Sequence, residues 1–191
     1  NTAVGYEAMK DTTTGHTNAA FGQYALANNT TGHGNVAIGQ NCMGGGVQTA
    51  ESNTAVGWSC LFSNTSGASN VAMGTSAMYT NTTGTLNTGV GFTALYANTS
   101  GSRNTAHGYQ ALRVNTTASD NTSLGHTAGL ANTTGASNTF IGAQAGKGVT
   151  TGATNVFVGY QAGGDGVITT TASKQILIGV SAHAAAVDSD N

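Results

Sequence analysis

The chain has 191 residues and a formal net charge of −2, with only five Lys or Arg and seven Asp or Glu, about a quarter of the usual charged share. Basic residues this scattered (Lys10, Arg103, Arg113, Lys147, Lys174) exclude the positive stripe that nucleic-acid binding needs, and no run of about 18 apolar residues offers a membrane span. Gly is abundant at 29, Pro is absent and large apolar residues are few, a balance that suits disorder unless a strict period supplies order.

Such a period exists. Aligned on Asn-Thr-Ala-Val-Gly, repeats start at Asn1, Asn18, Asn35, Asn53, Asn70, Asn87, Asn104, Asn121, Asn138, Asn155 and Gln175. The spacing is 17 residues except for one of 18, from Asn35, and one of 20, from Asn155. A fixed period of this kind is the signature of stacked repeats, so residues 1–191 read as a single repetitive segment of eleven units. The chain opens on the first residue of a repeat and closes on what reads as the first residue of another, Asn191. That is expected of a piece of a longer polypeptide.

In chain order within a unit, position 1 is Asn and positions 2–4 read as a short strand. Positions 2 and 4 then share one face, with position 3 on the other. Position 4 is large and apolar in ten units (Val4, Phe21, Ile38, Val56, Met73, Val90, Leu124, Ile141, Val158, Ile178) and His107 in the other, which predicts that it faces the coil interior. Position 5 is Gly throughout: Gly5, Gly22, Gly39, Gly57, Gly74, Gly91, Gly108, Gly125, Gly142, Gly159 and Gly179. A column of this kind calls for a positive φ or a backbone contact too close for a Cβ. Position 6 carries Tyr6, Trp58, Phe92, Tyr109 and Tyr160, candidate surface contacts for receptor sugars or caps on the corner of each coil. Position 8 is Ala or Cys in every unit and position 9 is often Leu or Met, which predicts a second strand. Asn-Thr-Thr-Gly, as at Asn81–Gly84, reads as a turn. The length changes fall nearby, around Gly44–Ser52 and Asp165–Ser173.

The pattern predicts an all-β fold, a parallel β-roll or β-solenoid of about eleven 17-residue coils. No ten-residue window has the 3.6-residue apolar period of a helix, and collagen would need Pro and a Gly at every third residue. The small-residue columns at positions 3 and 8 are expected to lie poorly covered on a single chain, which calls for partner chains.

The repeat NTAVGY-x-AL-x-x-NTTG, nearly unaltered at Asn104–Leu112 (NTAHGYQAL) and at Asn155–Gly163 (NVFVGYQAG), resembles the repeats of phage tail-fibre proteins. It is also similar to the head repeats of trimeric autotransporter adhesins of the YadA type, whose NSVAIG motif opens a shorter coil. The resemblance covers the whole chain. It implies an intertwined, parallel homotrimeric fibre, left-handed, extracellular, on a virion tail or a bacterial surface, with any cell receptor or glycan engaged through another part of the fibre. An ice-binding Thr-rich solenoid is the alternative, although here the Thr residues read as lying beside Gly in turns.

Candidate chemistry is sparse. Cys42 and Cys60 both fall in the Ala column and are expected to be unpaired, small and buried. His16 and His33 share position 16 of successive units and are expected to stack; His126 and His183 fall in other columns. His107 is read as a core residue, and a threefold axis would be needed to make it a metal ligand. The seven carboxylates are too few for a calcium roll. Gly142–Gly148 lacks the spacing and closing Ser or Thr of a phosphate loop. The Asn-X-Ser/Thr sequons at Asn28, Asn29, Asn64, Asn81, Asn98, Asn115, Asn121 and Asn132 read as products of the repeat. No nucleophile stands with a base and an orienting acid, so no catalytic residue and no cofactor are expected, and no membrane insertion of this segment.

Overall fold

Among the described residues each unit contributes one strand of three residues, and each strand pairs with its counterpart one unit away. The computed structural model describes residues 1–164 and 171–183. The strands are β1 Thr2–Val4, β2 Ala19–Phe21, β3 Val36–Ile38, β4 Thr54–Val56, β5 Val71–Met73, β6 Thr88–Val90, β7 Thr105–His107, β8 Thr122–Leu124, β9 Thr139–Ile141, β10 Val156–Val158 and β11 Ile176–Ile178. They form one parallel sheet in sequence order, with every residue paired to the one at the same repeat position, as in Thr88↔Thr105, Gly89↔Ala106 and Val90↔His107. The fold is a β-solenoid. The 18-residue unit keeps this register, Val36↔Thr54, and its extra residue is absorbed near Gln48, which bridges Asn29. Across the 20-residue unit β10 still pairs with β11; residues 165–170 of the predicted length change lie outside the described residues.

The predicted second strand is absent. Positions 7 and 9 have left-handed backbone, for example Thr93 (φ 51°) and Leu95 (φ 51°), which no strand accepts. Residues 5–12 of each coil therefore form consecutive turns. Ala94 N–H donates to Gly91 O (3.3 Å) and Asn98 N–H to Leu95 O (3.1 Å), while Leu95 N–H reaches Ala111 O of the next coil at 3.0 Å.

This turn wall lies close behind the sheet, and the interior holds little more than one large side chain per coil. Positions 3, 8 and 9 fill it. From the second to the seventh coil the large residue is at position 9 (Leu26, Met43, Leu61, Met78, Leu95, Leu112), all fully buried, opposite Ala or Gly at position 3. In the ninth and tenth coils Phe140 and Phe157 at position 3 take over, and position 9 becomes Gly146 and Gly163. A Cβ on Gly163 would strike the Phe157 ring. The eighth coil has Ser123 and Gly129 at the two positions; a Cβ on Gly129 would lie 2.6 Å from Phe140 and 2.9 Å from Leu112, so both neighbours lean into it.

Two expectations are thereby corrected. The small-residue columns at positions 3 and 8 are not exposed: Ala20, Ala37, Ala55, Ala94 and Ala111 are completely buried, small because sheet and turns approach closely. Position 4 points outward, because side chains alternate along the strand and position 3 takes the inner side.

Two files of buried Asn run along the axis. At position 1, Oδ1 of each Asn accepts the backbone N–H of the next, as between Asn87 and Asn104 (2.9 Å), and its Nδ2 donates to the position-15 carbonyl of its own coil. At position 12, Asn64, Asn81, Asn98, Asn115 and Asn132 link side chain to side chain at 2.7–3.1 Å. The Gly101 carbonyl accepts from Asn87 (2.8 Å) and Asn98 (2.9 Å) together, so both of its lone pairs are used. The Asn of Asn-Thr-Thr-Gly is thus a core residue rather than a surface turn. Of the sequon asparagines only Asn28 is more than marginally accessible; Asn29, Asn64, Asn81, Asn98, Asn115, Asn121 and Asn132 are buried.

Candidate functional site

Because side chains alternate across a strand, burying position 3 forces positions 2 and 4 of all eleven strands to the outside. Beside Thr or an aliphatic residue at position 2 runs the position-4 column. Val4, Phe21, Ile38, Met73, Leu124, Ile141 and Ile178 are all exposed. Position 6 continues the same outward band with Tyr6, Trp58, Phe92, Tyr109 and Tyr160, from 46% to 64% exposed. Positions 2, 4 and 6 contain no Asp, Glu, Lys or Arg in any coil. The result is a long apolar face without a charge.

Two of the five position-6 aromatics stack. Phe92 lies over Tyr109 with ring centroids 5.4 Å apart, and Tyr109 over His126 at 5.1 Å, both nearly coplanar. Trp58 and Tyr160 have no ring partner, and Tyr6 meets Tyr24 edge-on at 5.6 Å. His107, expected in the core, is exposed on the outer side of β7 because position 4 faces out.

Several charged side chains pair at other positions. Arg103 binds Asp120 through two bonds of 2.6 and 2.9 Å; that bond holds the Asp120 carboxyl below its usual range. His16 and His33 stack at 4.8 Å, as their shared position predicts, and His33 meets Glu51 at 3.1 Å. Cys42 and Cys60 are buried and free. Burial pushes the Cys60 thiol up to about 12 and raises that of Cys42 as well. Among the described residues no three His, Cys, Asp or Glu come together as a metal site, and no helix is long and apolar enough to cross a membrane.

The arrangement offers an extended contact surface. The position-4 face escaped the sequence reading because bulk was equated with burial; the absence of charge at positions 2, 4 and 6 was the signal that could have found it. No protein-family model, no curated protein and no solved structure matches the chain.

Proposed function

We propose that the chain is a structural shaft or head segment of an extracellular attachment fibre, in which three copies run parallel and side by side, and that it is not an enzyme. The observation that carries this is the uncharged apolar face at positions 2, 4 and 6, continuous over all eleven strands. Exposed apolar areas of such extent are uncommon on free-standing proteins and mark interaction surfaces. A partner matching this face coil for coil needs the same repeat along its axis, and a parallel copy of the same chain has it. The extracellular setting and the choice between phage tail and bacterial surface rest on the resemblance of the repeat. Receptor binding through other parts of the fibre belongs to the same proposal.

Sedimentation of the segment tests the assembly. The expected species has three times the 18.9 kDa chain mass, and replacing Ile38, Val56 and Val90 together by Lys should leave β-rich monomers. A wild-type chain that sediments as a folded monomer overturns the proposal.

Ice binding is a second function that one observation favours. Thr88, Thr105, Thr122 and Thr139 lie on strands, not in turns, and face outward in four successive coils. The column beside them is Val90, His107, Leu124 and Ile141, uneven in size and chemistry, which disfavours a flat match to a lattice. Thermal hysteresis in the wild type, lost on Thr105→Leu and Thr122→Leu, would establish it.

A further inference from the structure

A cleft opens beside the 18-residue coil. Along position 10 of the turn wall the side chains from the fourth coil onward form a stack. Phe62 lies on Tyr79 at 5.1 Å, Tyr79 on Tyr96 at 5.3 Å, and the Arg113 guanidinium covers Tyr96 at 5.9 Å. In the two preceding coils the column falls to Ala27 and Gly44. Gly44 begins the run Gly44-Gly45-Gly46 in the one coil of 18 residues. Removing the stacked side chains leaves a cavity of about 360 Å³, within the lower range of small-molecule sites, roughly 300–1,000 Å³.

This break has a cost. The position-12 Asn file is interrupted where Gln48 replaces Asn, with its Nε2 turned to the Met43 carbonyl. Asn29 Oδ1 and Gln48 Oε1 are left buried without a hydrogen-bond partner, each a desolvation penalty that nothing offsets. A Tyr and an Asn at these positions, as in the fifth coil, would remove both defects. The file also breaks at Val149, where Asn132 Oδ1 is unpartnered; at Gln48 the break coincides with a cleft, and a departure from a local rule is where a functional site is expected.

The lining has a definite chemistry. Tyr24 and Phe62 contribute aromatic walls, one held by the edge-on contact with Tyr6 and the other by the stack on Tyr79. Asn41 contributes a side-chain amide that makes no hydrogen bond among the described residues, and Asn28 commits its Nδ2 to Gly44 O (2.6 Å) while its Oδ1 accepts from none of them. Glu7 and Lys10 pair at 3.2 Å across one end, so the cleft carries no net charge.

Neutral amide donors and acceptors set among aromatic rings suit a ligand with alternating C–H and O–H surface. We infer that this cleft binds an uncharged hexopyranose unit of a glycan, with a C–H face against an aromatic wall and hydroxyls on Asn41 and Asn28. The site lies on the turn wall, beside the apolar strand face, to which Tyr6 connects it through its contact with Tyr24.

The test uses the whole chain with methyl glucopyranoside, galactopyranoside and mannopyranoside in saturation-transfer NMR and titration. Ala27→Tyr extends the aromatic column into the cleft, a side chain that position 10 already accepts at Tyr79 and Tyr96. Asn41→Ser removes the amide and installs the residue found at the same position in Ser59 and Ser76. The expected result is binding of at least one glycoside by the wild type, abolished in Ala27→Tyr, weakened about tenfold in Asn41→Ser, and unchanged in Leu130→Tyr, the same column far from the cleft. Absence of binding to all three at millimolar concentration overturns the inference. So does binding that survives both cleft variants.

Discussion

The ring of Phe140 occupies the space that Gly146, on the facing wall of the same coil, leaves open: a Cβ on Gly146 would overlap the ring. Six earlier coils place the large residue on the opposite side, with Leu or Met at position 9 and Ala or Gly at position 3. The interior accepts one large side chain per coil from either wall, but not two. Phe140→Ala should therefore cost about 3–5 kcal/mol through the cavity it leaves, and Gly146→Leu should be similarly harmful through overlap. The double variant recreates the pattern of the second to seventh coils, and its urea midpoint should recover by several kcal/mol relative to the sum of the singles. Additive losses would show that the two walls do not share one space.

Asn104 accepts the backbone N–H of Asn121 (3.0 Å) and donates to Ala118 O (2.9 Å), entirely out of solvent. Asn104→Ala leaves at least the Asn121 N–H buried and unpaired, a loss of about 1–3 kcal/mol. Asn104→Asp should be worse, since a carboxylate cannot donate and its charge has no partner there. Thermal melts of the two variants, read against Thr105→Ser as an exposed control on the adjacent residue, check the order.

The thiols of Cys42 and Cys60 should not react with a thiol reagent at pH 8 in the folded protein and should both react in denaturant. Their folded pKa values lie above the ordinary thiol value near 8.5 because burial disfavours the thiolate. Their contribution to stability is thus intact below about pH 8.5 and is lost as pH rises toward the folded values, about 12 for Cys60 and raised likewise for Cys42. Replacing both by Ala, the usual residue of that column, should flatten this alkaline decline and leave the melting temperature at pH 7 nearly unchanged. A loss of about 2–5 kcal/mol would instead point to a disulfide.

Gly108 has φ +140°, and a Cβ there would collide with the Gly125 carbonyl oxygen of the next coil. Gly108→Ala should destabilise by about 3 kcal/mol or more, combining backbone strain with displacement of a neighbouring strand. Gly148, with nothing within 4 Å of the added carbon, should accept Ala with little change. Denaturant midpoints of the pair decide whether the glycine column or glycine content as such matters.

Deleting Asn87–Arg103 joins Leu86 to Asn104 and brings β5 against β7 with every position aligned. Contacts run between nearest neighbours, so the product should fold and be shorter by about 4.8 Å in small-angle scattering. Deleting only Asn87–Tyr96 removes β6 and most of its turn wall while leaving Ala97–Arg103 without a register, and should give aggregated or poorly folded protein. Equal tolerance of both deletions would mean that 17 residues are not one coil.

Much of this was legible in the sequence. Gly5 to Gly179 recur at one position, and that alone located every strand and its register. Where the coil turns its faces was not. Val4, Phe21 and Ile38 look like core by size, yet the coil is so thin that Ala20 and Ala37 fill that side. Leu95 and Thr93 carry no mark of left-handed backbone, so a turn wall was taken for a strand. Asn98 is chemically a turn residue, and only the stacked geometry turns it into a buried link. The cleft was hidden for a related reason: the Gly44–Gly46 run reads as a loop of variable length, and the missing aromatic column it exposes is apparent only once Phe62, Tyr79 and Tyr96 are seen to stack.

The left-handed residues at positions 7 and 9, joined in most coils by position 17 (Thr17, Ser69, Arg103, Asp120), recur from one end to the other. Each is disfavoured by about 1–2 kcal/mol when standing alone, and only adjoining coils offset it. An isolated unit is therefore self-defeating, and order has to begin with several units at once before it can spread along the axis. Such a chain resists starting and then runs readily. Its failure follows the same logic in reverse, peeling from the outermost coils, where half the neighbours are missing, while the middle persists.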